Sequence, residues 1–114
     1  MSKVLLAEDD QTMVTLLTTL LRMEGFEVIA LASVSDVPGA VLQHRPDNLL
    51  IDYHLGRQNG IEVVEAIRSN SANKNLNIVM ASGLNVKDDC LSRGANHFIL
   101  KPFMPDDLIK LLKK

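Results

Sequence analysis

Residues 48–60, NLLIDYHLGRQNG, decide how this chain of 114 residues is expected to fold. The run Leu-Leu-Ile at 49–51 is apolar on both faces, which is typical of a buried strand in a parallel sheet. It ends at Asp52, and a turn containing Gly56 and Gly60 follows. A carboxylate at the exit of a buried strand is costly unless it has partners. The partners of Asp52 should therefore lie elsewhere in the sequence.

Composition is that of a globular protein, and residues 1–114 are expected to form a single domain, with 46% hydrophobic and 23% charged residues. The formal net charge of −2 predicts no direct nucleic-acid binding and no attraction to an anionic membrane. No apolar run approaches the ~20 residues of a membrane span, and the chain starts without a signal-peptide pattern. The single cysteine, Cys90, is expected in the core and is compatible with a cytoplasmic location.

Short apolar strands alternate with helices along the chain. The predicted strands are 4–7, 26–31, 48–52, 76–81 and 98–100, and helices are expected to begin near Asp10, Pro38, Gly60, Val86 and Pro105. The first helix should bury residues 13, 16, 17, 20 and 21, and the last should bury 108, 111 and 112. Such alternation predicts an α/β fold with a parallel sheet covered on both faces. Right-handed crossovers then favour a doubly wound, five-stranded, flavodoxin-like three-layer sandwich of strand order 2-1-3-4-5.

Polar side chains follow the strands that should flank the switch point of this sheet. Glu8 and Asp9 follow the first strand, Asp52 ends the third, Ser82 follows the fourth and Lys101 follows the fifth. The carboxyl ends of parallel strands meet at one edge, and ligands of such sheets bind there. We therefore expect these five side chains to converge.

The converging residue types indicate phosphoryl chemistry. Carboxylates that lie close together need neutralisation, and oxygen ligands of this kind suit Mg²⁺ or Mn²⁺. Lys101 and Ser82 could hold phosphoryl oxygens beside Asp52, whose carboxylate would be the nucleophile that forms an acyl phosphate. Each residue alone has an ordinary explanation as a helix cap, a turn residue or a solvated lysine. Those ordinary explanations do not account well for the occurrence of all five residues at the ends of neighbouring strands.

Four segments resemble the receiver domain of two-component response regulators, in the CheY-like superfamily. They are 4–10 (VLLAEDD), 52–60 (DYHLGRQNG), 79–83 (VMASG) and 94–103 (GANHFILKPF). The resemblance runs nearly end to end and implies a signalling domain that catalyses only its own phosphorylation and dephosphorylation.

The resemblance implies that Asp52 is the phosphoacceptor. Glu8 and Asp9 match the acidic pair of the family, with Asp9 expected to contact the metal directly. The main-chain carbonyl of His54 is the further metal ligand that the family pattern implies. The peptide bond between Lys101 and Pro102 is expected to be cis.

The resemblance also assigns switch residues. Ser82 and Lys101 are expected to contact the phosphoryl group, and Phe98 is the aromatic residue that responds to it. His54 and Leu84, two positions after Asp52 and Ser82, are expected to tune the lifetime of the phosphorylated state. Leu84 offers no group to orient water, which predicts a long-lived phosphoryl group.

Partners follow from the same resemblance. The phosphodonor is expected to be a histidine kinase or a histidine phosphotransfer protein. The signal should alter the surface of helix 4, strand 5 and helix 5, whose target or output domain is unknown. A monomer or a weak, phosphorylation-dependent dimer is expected, with no membrane partner. The short interval between Ser82 and Gly94 predicts a short helix 4.

Two other functions stay open at this point. The chain could be a small Mg²⁺-dependent phosphatase that uses Asp52 as nucleophile on an external ester, although the sequence contains no evident cap or substrate pocket. It could also be an interaction module that works without phosphorylation. A flavodoxin is disfavoured, since no Ser/Thr/Gly-rich phosphate loop follows the first strand. Whether the domain acts alone or within a longer protein is equally open.

Overall fold

The computed structural model describes residues 2–112, in which five parallel strands form one sheet. The strands are β1 (Lys3–Ala7), β2 (Glu27–Ala30), β3 (Asn48–Asp52), β4 (Asn77–Ser82) and β5 (His97–Leu100). The helices are α1 (Gln11–Met23), α2 (Val37–His44), α3 (Gly60–Arg68), α4 (Lys87–Ser92) and α5 (Pro105–Leu112). The spatial order is β2-β1-β3-β4-β5, which confirms the predicted order and the flavodoxin-like class.

Each face of the sheet carries its own hydrophobic core. Alternate strand residues point to opposite faces, so Leu6 of β1 packs with α1 and α5 while Leu5 packs with α2, α3 and α4. Cys90 of α4 is fully buried in the core that contains Leu5, as predicted. The two cores give the three layers that were expected.

Local capping fixes the start and end of α1. The Asp10 side chain accepts hydrogen bonds from the backbone N–H groups of Thr12 (3.0 Å) and Met13 (3.3 Å). Gly25 lies just after the helix at φ +93°, a left-handed conformation in which glycine has no steric cost. The predicted N-cap of α1 is confirmed, and the cap places Glu8 and Asp9 in the loop between β1 and α1.

The buried stripes of two helices differ from the prediction. In α1 the buried residues are Val14, Leu17 and Leu21, whereas Leu16 is 52% exposed. In α5 Ile109 is buried in place of Leu111, which is half-buried. Hydrophobicity alone does not decide which side of a helix faces the sheet. The side that packs best against the sheet is buried, and leucines on the other side remain exposed.

Three short features complete the fold. Residues His54–Leu55 pair antiparallel with Gln58–Asn59, and Ser71–Asn73 form one turn of 3₁₀ helix. These elements are too short for a periodic sequence signal. Helix α4 has six residues, in agreement with the expected short helix. Within residues 2–112, no helix has the length and apolar character needed to cross a membrane.

Candidate functional site

Three carboxylates meet at the carboxyl edge of the sheet. Glu8, Asp9 and Asp52 each offer one oxygen, and these oxygens all lie within 4.8 Å of one another. The pairing of Ala7 with Ile51 across β1 and β3 brings the two strand exits side by side. We refer to these three residues as the acidic cluster.

Lys101 joins the acidic cluster from the end of β5. Its Nζ atom lies 2.9 Å from Oε2 of Glu8 and 3.4 Å from Oδ2 of Asp52. Its backbone N–H donates to the carbonyl of Ser82 (2.8 Å), which fixes the start of the side chain beside β4. The peptide bond between Lys101 and Pro102 is cis. The ammonium group therefore bridges Glu8, directly after β1, and Asp52, at the end of β3.

Glu8 is the most buried member of the cluster, with 6% of its surface exposed. Its Oε1 atom accepts from the N–H groups of Asp9 (3.0 Å) and Asp10 (3.2 Å), while Oε2 accepts from Lys101. Both oxygens are thus engaged within the protein. Glu8 connects the lysine to the loop that carries Asp9.

The electrostatic balance of the site favours a cation. Burial raises the pKa of Glu8, and the charge of Asp52 adds to this effect; the hydrogen bond from Lys101 offsets it only in part. Burial alone would lower the pKa of Lys101, but its hydrogen bond to Glu8 and the charges of Asp52 and Glu8 outweigh burial and raise it. The three carboxylates carry more formal negative charge than the one ammonium group neutralises. Carboxylate oxygens at this spacing fit a hard divalent ion such as Mg²⁺.

Ser82 ends β4, directly after the residue that pairs with Asp52, and Phe98 lies on β5 opposite Met80. Ser82 is 1% exposed, and its Oγ accepts from the N–H of Leu84 at 3.1 Å. Phe98 is half-buried and packs against the core formed with α2, α3 and α4. The Leu84 side chain itself is 63% exposed. The serine hydroxyl is therefore held within its own turn in this conformation.

The 53–59 loop follows Asp52 and closes back on β3. The N–H of Tyr53 donates to the carbonyl of Ala81 (2.8 Å), and the N–H of Gly60 donates to the carbonyl of Tyr53 (2.7 Å). Gly60 has no room for a side chain, because a Cβ there would overlap the main-chain oxygen of Asp52. The exposed His54 ring packs edge-on against the Tyr53 ring, with centroids 4.9 Å apart.

Sequence reasoning missed two contacts of this region. Gln58 donates from Nε2 to the carbonyl of Val34 at 2.6 Å, although a glutamine in a turn gave no signal of a buried role. The requirement for Gly60 could have been found, since a glycine directly after a turn asparagine often marks a close approach of two backbones.

The family is shown by comparison with known proteins. The model of the family described as response regulator receiver domain matches residues 4–113, and the chain belongs to this family. It is a receiver domain of two-component signalling, which confirms the class that the sequence motifs indicated.

The related proteins are regulators of about twice the length. The chain is 34% identical over 110 residues to the DNA-binding response regulator MtrA of Mycolicibacterium smegmatis, covering 94% of this chain and 47% of that protein. It is 25% identical over 113 residues to the phosphate regulon transcriptional regulatory protein PhoB of Pseudomonas aeruginosa, covering 96% and 49%. The chain thus spans about half the length of these relatives.

Solved structures of similar fold are receiver domains. The chemotaxis response regulator CheY4 of Vibrio cholerae superposes with a TM-score of 0.90 at 28% identity, over 99% of this chain and 97% of that chain. The receiver domain of the sensor histidine kinase PA1611 from Pseudomonas aeruginosa gives 0.86 at 25% identity, over 98% and 94%. The latter was solved with a magnesium ion coordinated in its active-site cleft.

The prediction of no direct nucleic-acid partner is wrong. It rested on the net charge of −2, whereas the related MtrA is a DNA-binding response regulator and PhoB is a transcriptional regulatory protein. The physical reason is that net charge describes only the surface of this domain. It carries no information about DNA contacts made by the parts of MtrA and PhoB that this chain does not match.

Proposed function

We propose that Asp52 accepts a phosphoryl group from a phosphohistidine of a histidine kinase or a histidine phosphotransfer protein. The observation that carries this proposal is the meeting of Glu8, Asp9 and Asp52 within 4.8 Å, with the Lys101 ammonium between two of them. Membership of the receiver-domain family supports the same reaction.

In the proposed step, a carboxylate oxygen of Asp52 attacks the phosphorus of the donor. The new O–P bond forms an acyl phosphate as the N–P bond of the phosphohistidine breaks, and the electron pair returns to the imidazole nitrogen. Lys101, already 3.4 Å from Asp52, is positioned to stabilise negative charge on the phosphoryl oxygens.

The acidic cluster fits a divalent cation. We propose three direct ligands for it: Asp9, Asp52 and the main-chain carbonyl of His54. Glu8 would lie next to the cation without binding it directly. Both oxygens of Glu8 already accept hydrogen bonds, which supports its assignment to an indirect role. Mg²⁺ or Mn²⁺ in this position would neutralise charge on the transferred phosphoryl group.

We propose Ser82 and Phe98 as the residues that transmit the change. The Ser82 hydroxyl accepts from the Leu84 N–H, and its own proton is available to donate to an acyl phosphate on Asp52. Movement of Ser82 towards that group would shift the loop that leads into α4, and Phe98 on the adjacent strand would follow. The phosphoryl group therefore selects between two arrangements of one loop.

The surface of α4, β5 and α5 is the proposed output face. It exposes apolar side chains, among them Leu91 (37%), Leu100 (48%) and Met104 (68%). The relationship to MtrA supports a DNA-binding output domain as the element that this domain controls in a longer protein. A cytoplasmic location stays a prediction from the sequence.

Phosphorylation with a small donor tests the proposal. The protein is incubated with acetyl phosphate and Mg²⁺, and the intact mass of the wild type and of Asp52→Asn is measured. The control variant is Asp106→Asn, because Asp106 is an exposed residue of α5. The wild type and Asp106→Asn should gain one phosphate, and chelation of Mg²⁺ should abolish the gain. An equal gain in Asp52→Asn would place the acceptor elsewhere, and multiple turnovers of an added phosphate ester would favour the phosphatase.

A further inference from the structure

The 53–59 loop runs directly beside the acidic cluster. Gly56 adopts φ +56°, and a Cβ built on it would lie 3.5 Å from Oδ2 of Asp9. The backbone of the loop at Gly56 therefore lies beside Asp9, a member of the acidic cluster. Any shift of this backbone changes the space available beside Asp9.

The main chain fixes the two ends of the loop. Hydrogen bonds from Tyr53 to Ala81 and from Gly60 to Tyr53 hold the points where the loop leaves and rejoins the fold. The two-residue antiparallel ladder between His54–Leu55 and Gln58–Asn59 holds the loop to itself. None of these bonds fixes the tip of the loop relative to the rest of the protein. Because glycine at position 56 has more accessible backbone conformations than other residues, the position of the tip depends on further contacts.

Two side chains supply the missing attachment. Leu55 is fully buried in the core with α2 and α3. Gln58 donates a 2.6 Å hydrogen bond from Nε2 to the carbonyl of Val34, which lies between β2 and α2 and packs on the same core. Within residues 2–112, it is the only side-chain hydrogen bond of residues 53–59 whose partner lies outside β3, the loop and α3. It ties the loop beside Asp9 to a neighbouring segment of the fold.

We propose that Gln58 is a positioning residue for the metal and phosphoryl site. By holding the loop to the Val34 carbonyl, it keeps the main chain at His54 and Gly56 in the arrangement that the bound metal requires. Without the tether the loop must be ordered when the metal binds, and that ordering cost reduces affinity. This inference rests on the proposed function and extends it to a residue that does not touch the reacting atoms.

The test compares Gln58→Leu and Gln58→Ala with wild type in an NMR titration of the metal-free protein with Mg²⁺. Gln43→Ala is the matched control, since Gln43 is exposed on α2. Loss of a residue that supports a metal ligand typically weakens affinity about 10-fold or more. We expect a rise of about 10-fold in the Mg²⁺ dissociation constant of both Gln58 variants and no change for Gln43→Ala. The amide spectra report in the same samples that each variant is folded.

A second readout separates positioning from general damage. Acyl phosphate formation by the Gln58 variants should be slow at limiting Mg²⁺ and should return to the wild-type rate at saturating Mg²⁺. Folded Gln58 variants with wild-type affinity for Mg²⁺, or with an equal loss at both Mg²⁺ concentrations, would overturn the inference. A wild-type protein that neither binds Mg²⁺ nor accepts phosphate would instead overturn the proposed function.

Discussion

The ammonium group of Lys101 lies closer to Glu8, at 2.9 Å, than to Asp52, at 3.4 Å, although Glu8 is 93 residues away along the chain. In this conformation the lysine is shared between the two carboxylates. Transfer of a phosphoryl group to Asp52 would therefore compete with Glu8 for the same ammonium. Glu8 would thus affect the charge balance around Asp52, the proposed acceptor, without contacting the phosphodonor.

We predict that Glu8→Gln removes a pH dependence of stability from the metal-free protein. Burial raises the pKa of Glu8 in the folded state, so the folded state binds its proton more tightly than the unfolded chain does. The free energy of unfolding of the wild type should then fall as pH rises from the ordinary value of 4.5 through the raised folded value. Urea unfolding at a series of pH values in the presence of a chelator measures this.

The control for this experiment is Glu27→Gln, at an exposed position of β2. The difference in unfolding free energy between wild type and Glu8→Gln should decrease across the window and then become constant. Lys101 stays charged throughout, because its pKa is raised above 10.5. Parallel curves for the wild type and Glu8→Gln would contradict the prediction.

We predict that Gly60→Ala is strongly destabilising. The added Cβ would overlap the main-chain oxygen of Asp52, and backbone atoms cannot move aside as a flexible side chain can. Overpacking of this kind costs about 3 kcal/mol. Gly83→Ala is the matched control, since a Cβ there meets nothing within 4 Å; its effect should stay within about 0.5 kcal/mol. Equal midpoints for the two variants in chemical denaturation would show that the loop adjusts freely.

We predict that Arg68→Lys destabilises the protein by about 2 kcal/mol, the scale of hydrogen bonds made by a charged group. The guanidinium donates to the carbonyls of Gly94 (2.8 Å) and Asn73 (2.7 Å) and to Oδ1 of Asn96 (2.5 Å). An ammonium cannot satisfy three acceptors at these positions. Arg57→Lys, at an exposed loop position, should leave the unfolding free energy unchanged. An equally small effect at Arg68 would mean that water replaces its bonds.

We predict that the thiol of Cys90 is unreactive in the folded protein. Burial, with a contribution from the charge of Asp89, raises its pKa from 9.0 to about 11, so the thiolate population near pH 8 falls about 100-fold. Modification by an aromatic disulfide reagent should be slow without denaturant and rapid in its presence. The control moves the thiol one position along α4 with Cys90→Ala and Leu91→Cys, where it is partly exposed and should react quickly. Rapid reaction of the native wild type would reveal frequent opening of α4.

The architecture and the approximate position of the site could be predicted because both depend on local patterns. Apolar runs such as residues 49–51 mark buried strands, and the polar residue that follows each run lies at the carboxyl edge of the sheet. Parallel pairing then brings Glu8, Asp9 and Asp52 to one place wherever the strand order is 2-1-3-4-5. No detailed packing is needed for that conclusion.

Packing details were not accessible in the same way. The sequence of α1 offers more apolar residues than its buried stripe can hold, so Val14 rather than Leu16 faces the sheet. The ladder that contains Gln58 has two residues per strand, which is too short to show a period. These features depend on which neighbour a side chain meets, and a sequence pattern does not contain that neighbour.

By itself the sequence determined the parallel sheet, the ends of its strands to within a residue, and the residue types gathered at one edge, since these follow from backbone hydrogen bonding and the burial of apolar runs. Only the tertiary structure decided that Lys101 pairs with Glu8 as well as Asp52, and that Gln58 is bound to Val34. Both contacts join segments that are distant along the chain. Their lengths depend on side-chain conformations and on differences of about an ångström in packing, which only the assembled fold specifies.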